Sequence, residues 1–374
     1  MNHRICRVTL HHITVSRRTS WLMVELATSE GVVGTGECSD LRPIDSAAGI
    51  LESVLPIIAR HSVGEDPMAL DRRMTAQLGP STSAQERFGR RLVLGAVVGA
   101  LCDIQAQIAD QPLSAWLGAE PTDRVELYAN INRAPTNRTP DEFAQVAVSA
   151  VEAGFRRIKL APFDGPPRPG STLLETGIAH LESVRDAIGF EPSVFVDVHH
   201  RLTEDELLPA VRSMEELGVG WIEDAVDVHQ PEMLDRLAAM TDIPLAGGEK
   251  LTEEGDVAAL SAGGWLTYLL LDPKYIGGPL RFREMLRATS NVTLTLHDPT
   301  GPISTAASAH LTMLTPDPGP LEYAFGENID RSKLVTPGER LDGDRLIVSK
   351  EAGIGVHLAD DHQLPDSRAQ TWRF

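Results

Sequence analysis

The chain has 374 residues, 42% of them apolar and 23% charged, with 53 acidic against 34 basic side chains and a formal net charge of −19. That is ample chain for two domains or one large barrel with an attachment, and its acidity argues against nucleic acid or an anionic membrane as a partner. Three cysteines with no CxxC pairing, no signal-like N-terminus and no apolar run of about 18 residues point to a cytoplasmic protein.

In chain order, Arg7–Val15 and Trp21–Ala27 read as strands, and Glu30-Gly31 turns the chain into a return strand ending at Gly36. Ser46–Arg60 and Pro67–Leu78 carry helical spacing, and Leu92–Leu117 reads as one long, small-residue-rich helix. Strands followed by helices predict an α+β unit over residues 1–120.

From Val125 short apolar runs alternate with amphipathic segments: Val125–Ala129, Arg157–Leu160, Ser193–Val196, Val219–Ile222, Pro244–Ala246, Thr267–Leu271, Val292–Leu296 and Leu321–Ala324. Eight such units over 121–334 predict an α/β fold of the (β/α)8 type. The alternative is an open doubly wound sheet, but the first turn lacks a GxGxxG fingerprint. The segment 335–374 is expected to fold back and complete the N-terminal unit as a cap, with Arg340–Leu358 supplying short strands.

Polar residues mark the ends of these strands. Lys159 ends the second, then come Asp197, Glu223, Glu249, Asp272 and His297, with Glu322 on the eighth. From Asp197 onward the separations are 26, 26, 23, 25 and 25 residues. One βα unit returns the chain to the same rim of a barrel, so these groups should converge at the C-terminal face. A lone charge after a strand is usually solvated; a ladder of seven predicts a shared site.

Asp197, Glu223 and Glu249 lie on three adjacent strands. Pointed at one spot, they repel one another unless a cation neutralises them, and an all-oxygen set suits Mg2+, with Mn2+ possible in its place. The plainer alternative pairs one or two of these acids with Lys159 or Lys250. Asp272 and His297 on neighbouring strands can form a pair in which the carboxylate orients the ring and raises its basicity. Strand alternation puts His199 on the same side as Asp197 and His200 on the other. His199 is therefore read as a second proton-transfer group, the alternative being a metal ligand or a supporting partner.

These residues together resemble the enolase superfamily. "GVVGTGECS" and "ALCDIQAQIADQPLSAWLG" look like its capping domain and lead-in helix; "VFVDVHHR", "WIEDAV", "PLAGGEKL", "LLLDPKYIGGPLR", "LTLHDPTGPIS" and "PLEYAFGEN" resemble barrel strands three to eight. The resemblance implies removal of a proton α to a carboxylate, with the metal holding the resulting dianion. It also implies that Asp197, Glu223 and Glu249 are the metal ligands, that Asp272 and His297 form the dyad of the mandelate racemase-like branch, and that Glu322 sits beside a substrate carboxylate oxygen. Many relatives carry Lys-x-Lys at strand two. Here Lys159 matches the first lysine and Ala161 stands in place of the second, so a two-base reaction using that lysine is put in doubt. "DVHHR" with "HDPTGPIS" is similar to the galactonate dehydratase-like sugar-acid dehydratases. "DVHHRL" and "IED" also resemble mannonate dehydratases, which do not usually carry the Asp-His dyad.

The expected activity is Mg2+-dependent loss of water from an aldonate. His297 would take the C2 proton, His199 would protonate the leaving 3-hydroxyl, and Lys159 would help hold the carboxylate. The rivals are a racemase, epimerase or cycloisomerase on the same scaffold, or a non-catalytic binder of a metal and a sugar acid. The small carboxylate is the expected partner, together with further copies of the chain. Specificity is expected from loops near Arg17–Trp21, Arg42–Asp45 and Ala161–Ser171, the last being otherwise a plain surface loop; Arg17, Arg201, Lys250 and Lys274 are candidate contacts whose first reading is structural or solvated.

Overall fold

The computed structural model describes residues 3–16, 19–359 and 367–374, so Arg17 lies outside the described residues. Strands β1 (Ile5–Thr14), β2 (Ser20–Thr28) and β3 (Val33–Glu37) form an antiparallel meander. Helices α1 (Ser46–Arg60), α2 (Pro67–Leu78), α3 (Ala84–Ile108) and the short α4 (Leu113–Trp116) follow. The single long helix expected over Leu92–Leu117 is therefore two. The Ser83 side chain caps α3 by accepting from the Glu86 N–H, starting it earlier than the apolar pattern suggested. Asp110 takes a positive φ of 53° and Pro112 lacks an N–H, which separates α3 from α4.

Glycines let α3 lie directly on its neighbours. A Cβ at Gly36 would overlap the Ala96 carbonyl, and one at Gly95 would sit 2.8 Å from the Gly277 carbonyl carbon. By length and composition α3 could span a membrane, yet most of it is buried inside the protein.

The barrel strands are β4 (Arg124–Asn130), β5 (Arg157–Leu160), β6 (Ser193–Asp197), β7 (Val219–Glu223), β8 (Leu245–Gly247), β9 (Tyr268–Leu271), β10 (Thr293–Leu296) and β11 (Leu321–Ala324). Between them run α5 (Pro140–Glu152), α6 (Leu173–Ile188), α7 (Glu204–Glu216), α8 (Pro231–Ala238), α9 (Glu254–Gly263), the pair α10 (Pro273–Ile276) and α11 (Pro279–Met285), and α12 (Pro302–Thr312). All eight strands run parallel in the order β10-β9-β8-β7-β6-β5-β4-β11. The ends β10 and β11 meet through the Gly319 N–H donating to the Leu294 carbonyl (2.8 Å). This is the eight-unit α/β barrel with an attached α+β cap, except that a 3-10 turn, Arg331–Leu334, follows the last strand where a helix would complete the eighth unit.

Inside the ring, Tyr128, Phe195, Trp221, Ala246 and Leu270 pack together, the Phe195 and Trp221 rings stacked at 3.7 Å. The barrel is thus filled, as alternation along each strand requires.

The C-terminal stretch divides its allegiance. Of β12 (Val335–Thr336), β13 (Arg345–Ile347), β14 (His357–Leu358) and β15 (Ser367–Arg373), the last pairs with β1 in the N-terminal sheet. Within Arg340–Leu358, however, β13 pairs with β4 of the barrel, on its Arg124–Glu126 half, before the partners of β4 in the ring engage. The same stretch also reaches the cap, through the Ile354 N–H donating to Asp103 of α3 (2.9 Å).

Candidate active site

The seven polar residues of the ladder meet at one rim. Asp197 ends β6 and Glu223 ends β7, while Glu249 lies two residues beyond β8. Their carboxylate oxygens approach within 4.8 Å of one another, and they are 3%, 0% and 5% exposed. Three buried carboxylates at such range need positive charge. Part of it comes from Lys159, whose Nζ lies 2.8 Å from Glu223 Oε1, 2.8 Å from Glu322 Oε1 and 3.9 Å from Asp197 Oδ2. Lys250 Nζ is 3.4 Å from Glu249. The plainer lysine pairing is therefore present, and it does not exhaust the site. Burial, with Asp197 and Glu322 close by, pushes the Glu223 carboxyl well above its ordinary range despite Lys159, and its Oε2 has no hydrogen-bond partner. A buried, unpartnered oxygen within an all-carboxylate cluster is the donor set a hard divalent cation accepts, so these residues could hold a metal.

Asp272 follows β9 and His297 follows β10. The Asp272 side chain caps α10 by accepting from the backbone N–H groups of Lys274 and Tyr275 (2.7 and 3.3 Å), which fixes the carboxylate. Its Oδ2 then faces His297 Nδ1 at 2.9 Å, placing a proton on Nδ1. His297 Nε2 turns into the cluster, 2.8 Å from Glu249 Oε2 and 3.7 Å from Glu322 Oε2. Burial opposes charge on this ring, but Glu249 and Glu322 outweigh it and raise its pKa well above the ordinary value. A cation among the carboxylates would oppose that pull.

Glu322 accepts from Asn130 Nδ2 (2.6 Å) and from the Asp298 N–H (2.9 Å) as well as facing Lys159. His199 also arrives, though not by strand alternation: β6 ends at Asp197, and His199 and His200 take left-handed φ values of 49° and 54° in the turn beyond. The turn brings His199 Nε2 within 2.7 Å of Asp197 Oδ2, and its Nδ1 within 3.0 Å of Asp164 Oδ1. His200 turns to Asp224, 4.0 Å away.

The remaining sequence candidates are dispersed. The Arg201 guanidinium donates to the Gly165 carbonyl (3.3 Å), and Lys250 is 65% exposed along its side chain. Lys274 is buried, with Nζ 3.0 Å from Asp272 and 3.4 Å from Asp298, so it supports the dyad from behind. Three groups at the site escaped the sequence reading. Asp164 lies inside the Pro/Gly-rich loop expected to line the pocket. Asp40 lies two residues before the expected cap loop and closes over the rim, paired with Arg133 (3.1 Å) and accepting from the Tyr275 hydroxyl (3.1 Å). Glu37, at the end of β3, accepts from the Gly301 and Ser304 N–H groups at the start of α12 (2.7 and 2.9 Å), tying cap to barrel.

Comparison with known families fits this geometry. Residues 142–362 match the family described as Enolase C-terminal domain-like, and residues 4–118 match the N-terminal domain of mandelate racemase / muconate lactonizing enzyme. The chain belongs to the enolase superfamily. Among relatives of this superfamily member are proteins named D-galactonate dehydratase from Variovorax paradoxus, 25% identical over 97% of this chain and 96% of the relative, and from Ralstonia nicotianae, 26% identical over 99% and 97%. Among solved structures, an enolase superfamily member from Salmonella Typhimurium superposes with a TM-score of 0.80 at 21% identity over 99% and 100% of the two chains. An enolase protein from the Sargasso Sea environmental genome sequencing gives 0.80 at 22% identity over 100% and 99%.

Proposed function

We propose that this enolase superfamily member is a hydro-lyase acting on an aldonate-type sugar acid, with Mg2+ held by Asp197, Glu223 and Glu249. The observation that carries the reading is the Asp272–His297 pair turned into a buried carboxylate triad, with a second imidazole, His199, at the same rim. The dehydratase names of the relatives support the reaction class. The cation, when bound, would offset the charge that develops on the substrate carboxylate.

The chain's own groups do the rest. Asp272 holds the proton of His297 on Nδ1, leaving the Nε2 lone pair to take the C2 proton. The electron pair of the C–H bond passes toward the carboxylate, where the Lys159 ammonium lies among Glu223 and Glu322. That pair returns to expel the 3-hydroxyl, which leaves as water with the proton of His199. The resulting enol tautomerises to a 2-keto-3-deoxy acid. His297 ends with one proton more and His199 with one fewer, and exchange with solvent restores both. A positioned acid or base of this kind contributes about 10²–10⁴-fold. The composition and the three cysteines favour a cytoplasmic setting for this chemistry.

Screening a sugar-acid library with Mg2+ for 2-keto products tests the reading, and formation of a 2-keto-3-deoxy acid is expected. Deuterium entering C2 of recovered substrate in D2O without loss of water would replace dehydration by epimerisation. Tight Mg2+-dependent binding with neither product nor exchange would make the protein a binder.

A further inference from the structure

Strand β5 is followed by a residue without a reactive group, and the loop beyond carries a carboxylate. Ala161, just after β5, offers only a buried methyl. Three residues on, Asp164 Oδ1 lies 3.0 Å from His199 Nδ1, reaching across from the β5 loop to the turn after β6. The carboxylate is itself held in place. Its Oδ2 accepts from Asn132 Nδ2 (3.2 Å), and its backbone carbonyl accepts from Arg138 Nε (3.3 Å). The Arg138 guanidinium also donates to the carbonyls of Ala161 (2.6 Å) and Asn132 (2.7 Å), tying the start of the loop to the connection after β4.

His199 is fixed from its other side as well. Its N–H donates to Asp197 Oδ1 (3.0 Å), and its left-handed φ of 49°, costing of order 1–3 kcal/mol in a non-glycine residue, is maintained by those bonds. The arrangement parallels that of Asp272 and His297: a carboxylate on Nδ1, here part-buried where Asp272 is fully buried, with Nε2 turned to a triad carboxylate, Asp197 for His199 and Glu249 for His297.

We propose that Asp164 is a positioning residue for elimination, forming with His199 a second Asp–His pair at the same carboxylate triad. It fixes the ring so that the Nε2 proton is aimed at the departing hydroxyl. The β5 loop thereby aids the acid of the next strand in place of carrying a base of its own. This rests on the dehydratase reading above.

The consequence is a split between the two halves of the reaction. Asp164→Ala leaves His297 and Asp272 untouched, so proton removal at C2 continues while loss of water slows. In D2O, with an aldonate that the wild type dehydrates, kcat for 2-keto product is expected to fall about 10–100-fold with KM within about threefold. The ratio of C2 deuteration in recovered substrate to dehydration should rise at least as much. Asp164→Asn, which keeps an acceptor oxygen, should recover part of the loss, and Asp164→Ala/His199→Asn should be no slower than His199→Asn alone. Equal loss of exchange and dehydration in Asp164→Ala, or an unchanged ratio, overturns the proposal while the dehydratase reading stands. Neither exchange nor dehydration by the wild type on any sugar acid overturns both.

Discussion

Lys159 shows how much of this site is decided by single charges. Its ammonium is 2% exposed and serves Glu223 and Glu322 at equal distance, so its removal leaves two carboxylates buried without their cation. Breaking a buried pair from one side costs about 3–5 kcal/mol, so Lys159→Met should lower the urea midpoint strongly in metal-free protein. Added Mg2+ should return part of that loss by supplying the missing charge. His297 makes the complementary case. Its ring stands between Asp272 and the triad, and His297→Asn should reduce turnover about 10²–10⁴-fold, measured as 2-keto product. Near-wild-type turnover in that variant would remove it from the role of base.

The elements carry these residues with different degrees of transparency. The eight parallel strands were legible as short apolar runs, and the polar residues that mark six of them from Asp197 to Glu322 at nearly constant spacing fixed the repeat. What the pattern could not convey is what happens after a strand ends. His199 reaches the site through a left-handed turn whose conformation no periodicity encodes, and Asp164 acts from a loop whose sequence, "APFDGPPRPGS", signals only irregularity. Asp40 and Glu37 come from the cap, and only the packing of cap on barrel brings them to the rim.

The same packing creates a pH-sensitive joint between α12 and α4. Burial depresses His310 to a pKa of about 4, and its Nδ1 lies 3.1 Å from the Ser114 hydroxyl. The unfolded chain binds that proton near pH 6.5 and the folded chain only near 4, so the stability it contributes is full above 6.5 and is lost as pH falls toward 4. Between pH 7 and 4.5 the wild type should therefore lose about 2–3 kcal/mol more than His310→Gln, read from urea midpoints.

For the whole molecule, the net charge of −19 and the proposed anionic substrate are reconciled by location. Polyanions meet the summed surface field, whereas a small acid at the proposed site would meet the cation and the buried Lys159. Because the three triad carboxylates come from consecutive strands, a bound ion joins β6, β7 and β8. A ligand at 100 times its Kd stabilises by about 2.7 kcal/mol. Mg2+ should raise Tm by several degrees in the wild type and leave Glu223→Gln unmoved, with EDTA reversing the gain. An equal rise in both proteins would show that the ion binds elsewhere.

The stack of Tyr128, Phe195 and Trp221 that fills the ring has a consequence for traffic. Among the described residues it closes the ring beneath the site, leaving the rim side under the cap as the way in. Whatever enters between cap and rim must leave by the same doorway, so departing product and arriving substrate exclude each other. Inhibition by product should then be competitive, and the pace of a turnover can be set by the opening of the cap side as much as by the chemistry beneath it.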